Sequence, residues 1–168
     1  MKFLDSKLKN LVPYVPGEQP ADMDRLMKLN TNESPFPPSP KVIAAVNAEA
    51  VSRLRRYSDP TCRKLVEAIA KFEKVAPENV FVGNGSDEVL SFIFHGFCEY
   101  GAAFADITYG LYPVLCQMFG VVGKVIPLKE DFSLDPADYE VLSETVVIAN
   151  PNAPTGMALP LDGIRKLM

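Results

Sequence analysis

VFVGNGSDEVLSFIFHGFC, residues 80–98, is the stretch that decides the fold, because its hydrophobic period changes in the middle. Residues 80–82 are strand formers, the GNG of residues 83–85 predicts a tight turn, and from Ser86 apolar residues return at helical spacing. The pattern predicts a strand, a turn and a helix. Two glycines let backbone amides approach a ligand, and the first N–H groups of a helix lack intrahelical partners. Such a helix end attracts anions, phosphate above all.

The same residues also suit a plain connection between a strand and a helix. Ser86 is a common N-cap residue, and Asp87 and Glu88 are common first-turn acids. GNGSDE is neither a Walker loop nor a dinucleotide fingerprint, since it lacks the Gly-Lys-Ser/Thr ending of the first and the third glycine of the second. Taken alone, the turn leaves an anion site and a structural connection both open.

Composition narrows the class of protein. The chain has 168 residues, 48% of them hydrophobic, which predicts a soluble globular chain with one good core. A formal charge of −4 without a long basic run argues against nucleic acid or a membrane surface as the main partner, and no apolar run approaches a membrane span. The three cysteines, Cys62, Cys98 and Cys116, form no CxxC pair, so we expect reduced thiols in a cytoplasm, with neither disulfides nor a metal site.

Strand and helix patterns alternate along the chain, which predicts an α/β fold with a mostly parallel, doubly wound sheet. Residues 1–38 contain six prolines and predict an arm that lies over the body or reaches a neighbouring subunit. Helices are expected from Ser39-Pro40, after the turn at residues 58–60, from Ser86, through residues 114–119 and from residue 161, with a short helical turn after Asp135. Strands are expected at residues 80–82, 102–105, 121–128 and 141–149.

Three loops follow strands of this predicted sheet, at the edge where ligands of such sheets bind. The first offers helix N–H groups and Ser86, the second offers Tyr109 and Tyr112, and the third, NPNAPTG at residues 150–156, offers amide side chains. Each loop has a purely structural explanation of its own. Together, an anion site, an aromatic platform and an amide are what a flat, phosphorylated aromatic cofactor requires.

Five motifs, taken in order, resemble those of the histidinol-phosphate aminotransferases, which are fold type I enzymes that use pyridoxal 5'-phosphate (PLP). They are KLNTNESP at 28–35, RYSDP at 56–60, GNGSDE at 83–88, DITY at 106–109 and NPNAPTG at 150–156. The resemblance implies an arm and first helix over residues 1–50, belonging to a small domain, and the N-terminal part of the large PLP-binding domain over residues 51–168. It also implies a cytoplasmic homodimer that moves an amino group between histidinol phosphate and 2-oxoglutarate, yielding glutamate, in histidine biosynthesis.

The resemblance implies a role for several residues around PLP. The amides of Gly85, Ser86 and Asp87, with the Ser86 hydroxyl, would hold the cofactor phosphate. Tyr109 would stack on the pyridine ring, and Tyr57 would reach the phosphate of the other subunit's cofactor.

Two further residues of the arm are expected near the substrate, and one position departs from the family. Tyr14 would approach the substrate phosphate, and Asn32 lies in the arm segment that closes the site. Many relatives carry an asparagine before Pro-Thr-Gly that meets the phenolic oxygen of PLP, but here that residue is Ala153. Asn152, or alternatively Asn150, is the expected substitute.

The family's Schiff-base lysine, the aspartate on the pyridine nitrogen and the arginine that grips the substrate carboxylate are all expected beyond this chain. We therefore expect a truncated part of the enzyme, inactive alone, and assign it no catalytic residue and no metal ligand. Other PLP enzymes, such as an aromatic aminotransferase or a threonine-phosphate decarboxylase, would share these motifs. A non-catalytic phosphate- or nucleotide-binding α/β module, or a defective fragment that only associates with intact subunits, also remains open.

Overall fold

A computed structural model describes residues 5–18 and 26–168 of the chain. Its described residues fall into two compact units. One unit consists of residues 5–14 and 83–168, and the other of residues 15–18 and 26–82. The part of the predicted arm at residues 1–4 and 19–25, including Leu4, lies outside the described residues.

The unit of residues 15–18 and 26–82 is helical. It contains α1 (Pro40–Ala45), α2 (Ala48–Ser52) and α3 (Arg63–Glu73), with short 3-10 turns at Arg53–Arg55 and Pro77–Asn79. The helix predicted from Ser39-Pro40 begins there, since the Ser39 side chain accepts from the Val42 N–H. It is split, however, because the Asn47 side chain accepts from the Ala50 N–H and starts a new helix.

The other unit carries the sheet. After a 3-10 turn at Ser6–Leu8, its elements are α4 (Ser86–Phe97), β1 (Ala102–Ala105), α5 (Leu111–Phe119), β2 (Gly123–Ile126), a 3-10 turn at Pro136–Tyr139, β3 (Thr145–Val146) and α6 (Leu161–Leu167). The strands are parallel in the order β2-β1-β3, with Ala102 opposite both Gly123 and Thr145. The predicted α/β fold with a parallel sheet is confirmed, although β2 and β3 are shorter than the sequence pattern indicated.

One face of β1 forms the core with the two flanking helices. Because side chains alternate along a strand, Ala102 and Phe104 share a face, and both belong to the buried cluster. The cluster joins α4, β1 and α5 and consists of Phe94, Cys98, Ala102, Phe104, Tyr112, Leu115 and Cys116. These contacts pack the C-terminal half of α4 against β1 and α5.

The strand predicted at residues 80–82 is wrong. Val80 has extended dihedral angles, φ −117° and ψ 120°, but residues 80–82 join no sheet in the described chain. Phe81 is 66% exposed. Strand propensity alone does not form a strand, because a strand also requires hydrogen bonds to a neighbouring strand.

Candidate functional site

The strand order places a crevice at the carboxyl edge of the sheet. The chain runs from β1 to β2 on one side and then crosses to β3 on the other side of β1. In open α/β sheets, ligands bind where the strand order reverses in this way. An open pocket of about 470 Å³ lies there, lined by Ser86, Val89, Leu90, Tyr109, Tyr112, Ala149 and Ala153. Three predicted loops therefore meet at one pocket.

The first turn of α4 forms one wall of this pocket. The sequence suggested Ser86 as N-cap, but Gly85 holds that position with φ 84° and ψ 168°, and Ser86 is the first helical residue. A side chain at Gly83 would collide with the helix, since an added Cβ would lie 2.9 Å from Val89 Cγ2. The glycines therefore let the turn approach α4 closely with a positive φ at its cap.

The N–H groups of Ser86 and Asp87 point out of the first turn. Within residues 5–18 and 26–168, the structure shows no protein acceptor for either group. By contrast, the Asn84 N–H donates to Glu88 Oε2 at 2.6 Å. Because free N–H groups and the helix dipole both favour negative charge, this end of α4 suits a phosphate group.

Tyr109 also lines the pocket, and three contacts hold its side chain. Its hydroxyl donates to Asp87 Oδ1 at 3.0 Å. Its ring centroid lies 5.8 Å from that of Tyr14 in an edge arrangement, and 5.8 Å from that of Tyr112 at an interplanar angle of 90°. Burial, and then the neighbouring Asp87 carboxylate, raise the pKa of Tyr109 well above its usual range. The hydroxyl therefore keeps its proton and remains a donor at neutral pH.

Tyr112 supports Tyr109 from the core. It is buried, and its ring centroid lies 5.9 Å from that of Phe94 in a stacked arrangement. Burial also raises the pKa of the Tyr112 hydroxyl. Both tyrosines of this loop line the pocket, and Tyr112 in addition packs against Phe94 in the core and contacts the ring of Tyr109.

Asn152 lies behind the pocket wall. Its Oδ1 accepts from Thr108 Oγ1 at 2.8 Å, and its Nδ2 donates to the Ile107 carbonyl at 2.8 Å and to Thr155 Oγ1 at 3.0 Å. Asn152 lines a second, mostly apolar cavity of about 80 Å³, whereas the next residue, Ala153, lines the pocket. A direct contact of Asn152 with a cofactor stays a prediction, and donation by its amide to a cofactor would require one of the two Nδ2 bonds to break.

The other predicted site residues are divided between the two units. Tyr14 belongs to the unit with the pocket, where it contacts Tyr109. Tyr57 and Asn32 belong to the other unit, where Tyr57 is fully exposed and Asn32 has a left-handed φ of 52°. Their roles stay predictions. Thr108 lies within the DITY motif at residues 106–109, but its bond to Asn152 was not expected, because the two residues are 44 positions apart.

Two further features of the described residues concern metals and membranes. Among the described residues, no group of three or more His, Cys, Asp or Glu side chains is arranged to hold a metal ion. In the same part of the chain, no helix has the length and apolar character needed to cross a membrane.

Comparison with known sequences gives a family and close relatives. The model of the family "aminotransferase class I and II" matches residues 24–168. The histidinol-phosphate aminotransferase of Marinomonas sp. (strain MWYL1) is 52% identical over 170 residues, which cover 99% of this chain and 48% of that protein. Histidinol-phosphate aminotransferase 2 of Dechloromonas aromatica (strain RCB) is 48% identical over 173 residues, with the same coverage of 99% and 48%. The chain thus spans about half the length of these relatives.

Comparison with solved structures agrees on the fold. A crystal structure from Erwinia carotovora, assigned as a histidinol-phosphate aminotransferase, superposes with a TM-score of 0.73 at 25% identity. The match covers 86% of this chain and 44% of that one. The sheet and helices around the pocket are therefore those of the PLP-dependent fold type I architecture.

Proposed function

Since this chain belongs to the aminotransferase class I and II family, we propose that it is the PLP-anchoring part of a histidinol-phosphate aminotransferase. The substrates in this proposal are histidinol phosphate and 2-oxoglutarate, between which the whole protein transfers an amino group. Relatives that are 52% and 48% identical over 99% of the chain support it. Because the chain spans about half of their length, the activity of the whole protein is part of the proposal.

The observation that carries the proposal is the pocket in which Ser86, Tyr109 and Ala153 meet. PLP has a dianionic phosphate at one end and a flat aromatic ring at the other. The residues present fit both parts: the free N–H groups of Ser86 and Asp87 suit the phosphate, and Tyr109 offers an aromatic face held by Tyr112. We therefore assign the amides of Ser86 and Asp87 to the phosphate and Tyr109 to the ring. The Gly85 N–H donates to the Gly83 carbonyl at 3.0 Å, so in this proposal it would exchange that bond for one to the phosphate.

When bound, PLP supplies an electron-withdrawing pyridine ring that stabilises negative charge on the substrate carbon next to the amino group. The residues of this chain bind and orient that ring. The Ser86 hydroxyl and the first-turn amides fix the phosphate end, and Tyr109 limits the tilt of the ring. Two fixed points define an orientation, which is what proximity catalysis requires of a binding site.

The proposal includes the partners and location implied by the family resemblance. Tyr14 and Asn32 are proposed to contact substrate, and Tyr57 is proposed to reach the cofactor phosphate of a second subunit in a homodimer. The contact of Tyr14 with Tyr109 supports a position beside the ring site. The three cysteines are free, which supports a cytoplasmic location.

Binding of PLP by variants of the chain tests the cofactor assignment. We expect Ser86→Ala to weaken the binding of both PLP and inorganic phosphate, because it removes a hydroxyl from the phosphate end. Tyr109→Leu should weaken PLP binding and leave phosphate binding unchanged. Asn79→Ala, which removes an exposed amide in the other unit, is the control. Equal PLP affinity in all four proteins would contradict the assignment.

The substrate assignment is tested by measuring kcat/KM for several amine donors with the protein as its gene encodes it. We expect transfer from histidinol phosphate to 2-oxoglutarate to exceed transfer from phenylalanine by at least about tenfold in kcat/KM. Faster transfer from phenylalanine, or decarboxylation of threonine phosphate, would assign the protein to another activity of the same family.

A further inference from the structure

The side chain of Asn152 has no free donor. Its amide carries two N–H groups, and these donate to the Ile107 carbonyl at 2.8 Å and to Thr155 Oγ1 at 3.0 Å. Its oxygen accepts from Thr108 Oγ1 at 2.8 Å. A half-buried amide with this many protein partners connects parts of the chain and is poorly suited to be a ligand for a third molecule.

The partners of Asn152 lie immediately beside the pocket walls. Ile107 and Thr108 are the two residues before Tyr109, which lines the pocket. Asn152 itself is the residue before Ala153, which lines the same pocket. The two bonds across the sheet edge therefore set the separation between the aromatic wall and the Ala153 wall.

The loop that carries Asn152 is held by hydrogen bonds within the loop, so the position of the Asn152 side chain also sets the position of Ala153. The Asn152 N–H donates to the Met157 carbonyl at 2.7 Å, and the Gly156 N–H donates to the Asn152 carbonyl at 2.7 Å. At its base, the Asn150 side chain accepts from the Leu159 N–H at 2.8 Å and donates to the Leu159 carbonyl at 3.2 Å. These hydrogen bonds couple the position of the loop backbone to that of the Asn152 side-chain amide.

We propose that Asn152 is a positioning residue that holds Tyr109 and Ala153 at the spacing of the cofactor ring and does not itself contact PLP. The inference rests on the proposed function. It reassigns Asn152, which the family resemblance suggested, with Asn150 as the alternative, as the substitute for the missing asparagine at Ala153. The ring edge at Ala153 then meets a methyl group, and this chain places no amide there.

A double-mutant cycle between Asn152 and Thr108 tests the inference. The variants are Asn152→Ala, Thr108→Val and the double variant, with Asn79→Ala as control. We expect Asn152→Ala to weaken PLP binding about tenfold, the change expected for the loss of one or two hydrogen bonds. Thr108→Val should weaken PLP binding as well, and the double variant should bind no more than about twofold worse than Asn152→Ala.

Two further readouts separate positioning from direct contact and from general damage to the fold. In the proposed function inorganic phosphate binds at the α4 end alone, so its affinity should be unchanged in Asn152→Ala, whereas a variant that unfolds would lose both ligands. The absorption maximum of bound PLP should also stay in place, because no bond to the phenolic oxygen is lost. Three results would overturn the inference: a shifted absorption maximum of PLP in Asn152→Ala, losses of PLP affinity that multiply in the double variant, or unchanged PLP affinity in Thr108→Val.

Hydrogen exchange distinguishes a failure of this inference from a failure of the proposed function. If the unaltered chain binds no PLP, the proposed function fails, and the positioning role is then judged on the free protein. Asn152→Ala should increase amide exchange in residues 106–110 as well as in residues 150–157. Faster exchange confined to residues 150–157 would show that Asn152 does not position Tyr109.

Discussion

Substitution of Tyr109 by phenylalanine and by leucine separates the two ways in which this side chain is held. Tyr109→Phe removes only the hydroxyl that donates to Asp87 at 3.0 Å. A hydrogen bond to a charged group contributes about 1.5–3 kcal/mol to stability, and an ordinary one about 0.5–1.5 kcal/mol. Because Asp87 is exposed, we expect the loss of this bond to cost the smaller amount, about 0.5–1.5 kcal/mol. Tyr109→Leu also removes the ring contacts with Tyr14 and Tyr112, each worth about 0.5–1.5 kcal/mol beyond area burial. The leucine variant should therefore lose about 1.5–4.5 kcal/mol.

Urea denaturation followed by far-UV circular dichroism measures both losses, with the fitted slope compared between variants to check that the transition stays the same. The phenylalanine variant should keep most of the PLP affinity, since its ring is intact, and the leucine variant should lose it. Equal stability of the two variants would show that the ring contacts contribute nothing. A phenylalanine variant as stable as the unaltered protein would show that the bond to Asp87 contributes nothing.

Three further predictions concern stability. Tyr139 is 4% exposed and its hydroxyl has no partner among the described residues, so Tyr139→Phe should leave stability unchanged or raise it by up to about 1 kcal/mol. Burial raises the pKa of Tyr139 to about 12, so the unaltered protein should lose stability from about pH 10 upwards, and the variant should lose less. Urea midpoints measured at pH 8 and pH 11 would reveal the difference. Leu115→Ala should cost about 2–5 kcal/mol because Leu115 is 2% exposed in the core, whereas Leu161→Ala, at a position 60% exposed, should cost under about 0.5 kcal/mol in the same denaturation. Hydrogen bonds from Thr61 and Arg63 lower the pKa of Asp59, so the stability it contributes above its ordinary pKa should be lost as the pH falls through the lowered value, and Asp59→Asn should lose less helix signal in an acid titration.

Local sequence pattern was sufficient for the elements whose partners are near in the chain. The change of hydrophobic period at residues 83–86 located the start of α4, and the short apolar run located β1 at Ala102–Ala105. The split of the first helix at Asn47 also had a local signal, because asparagine is a strong N-cap residue, although its position in an apolar periodic stretch favoured a continuous helix.

The remaining differences depend on contacts between distant residues. Residues 80–82 have strand propensity but join no sheet among the described residues, and no pattern within the stretch could reveal this, because strand pairing depends on distant residues. The candidate site shows the same limit. The motifs identified Ser86 and Tyr109, but the role of Asn152 follows from bonds to residues 44 and 45 positions earlier in the chain.

Mapping PLP on the isotopically labelled chain by nuclear magnetic resonance tests the central claim most directly. We expect added PLP to shift the amide signals of Ser86 and Asp87 and the methyl signals of Ala149 and Ala153, the first two through the phosphate and the last two through the aromatic ring. Inorganic phosphate should shift only the two amides. Shifts from PLP that leave the Ser86 and Asp87 amides unchanged, or that cluster away from this pocket, would contradict the claim that the first turn of α4 and Tyr109 together hold the cofactor.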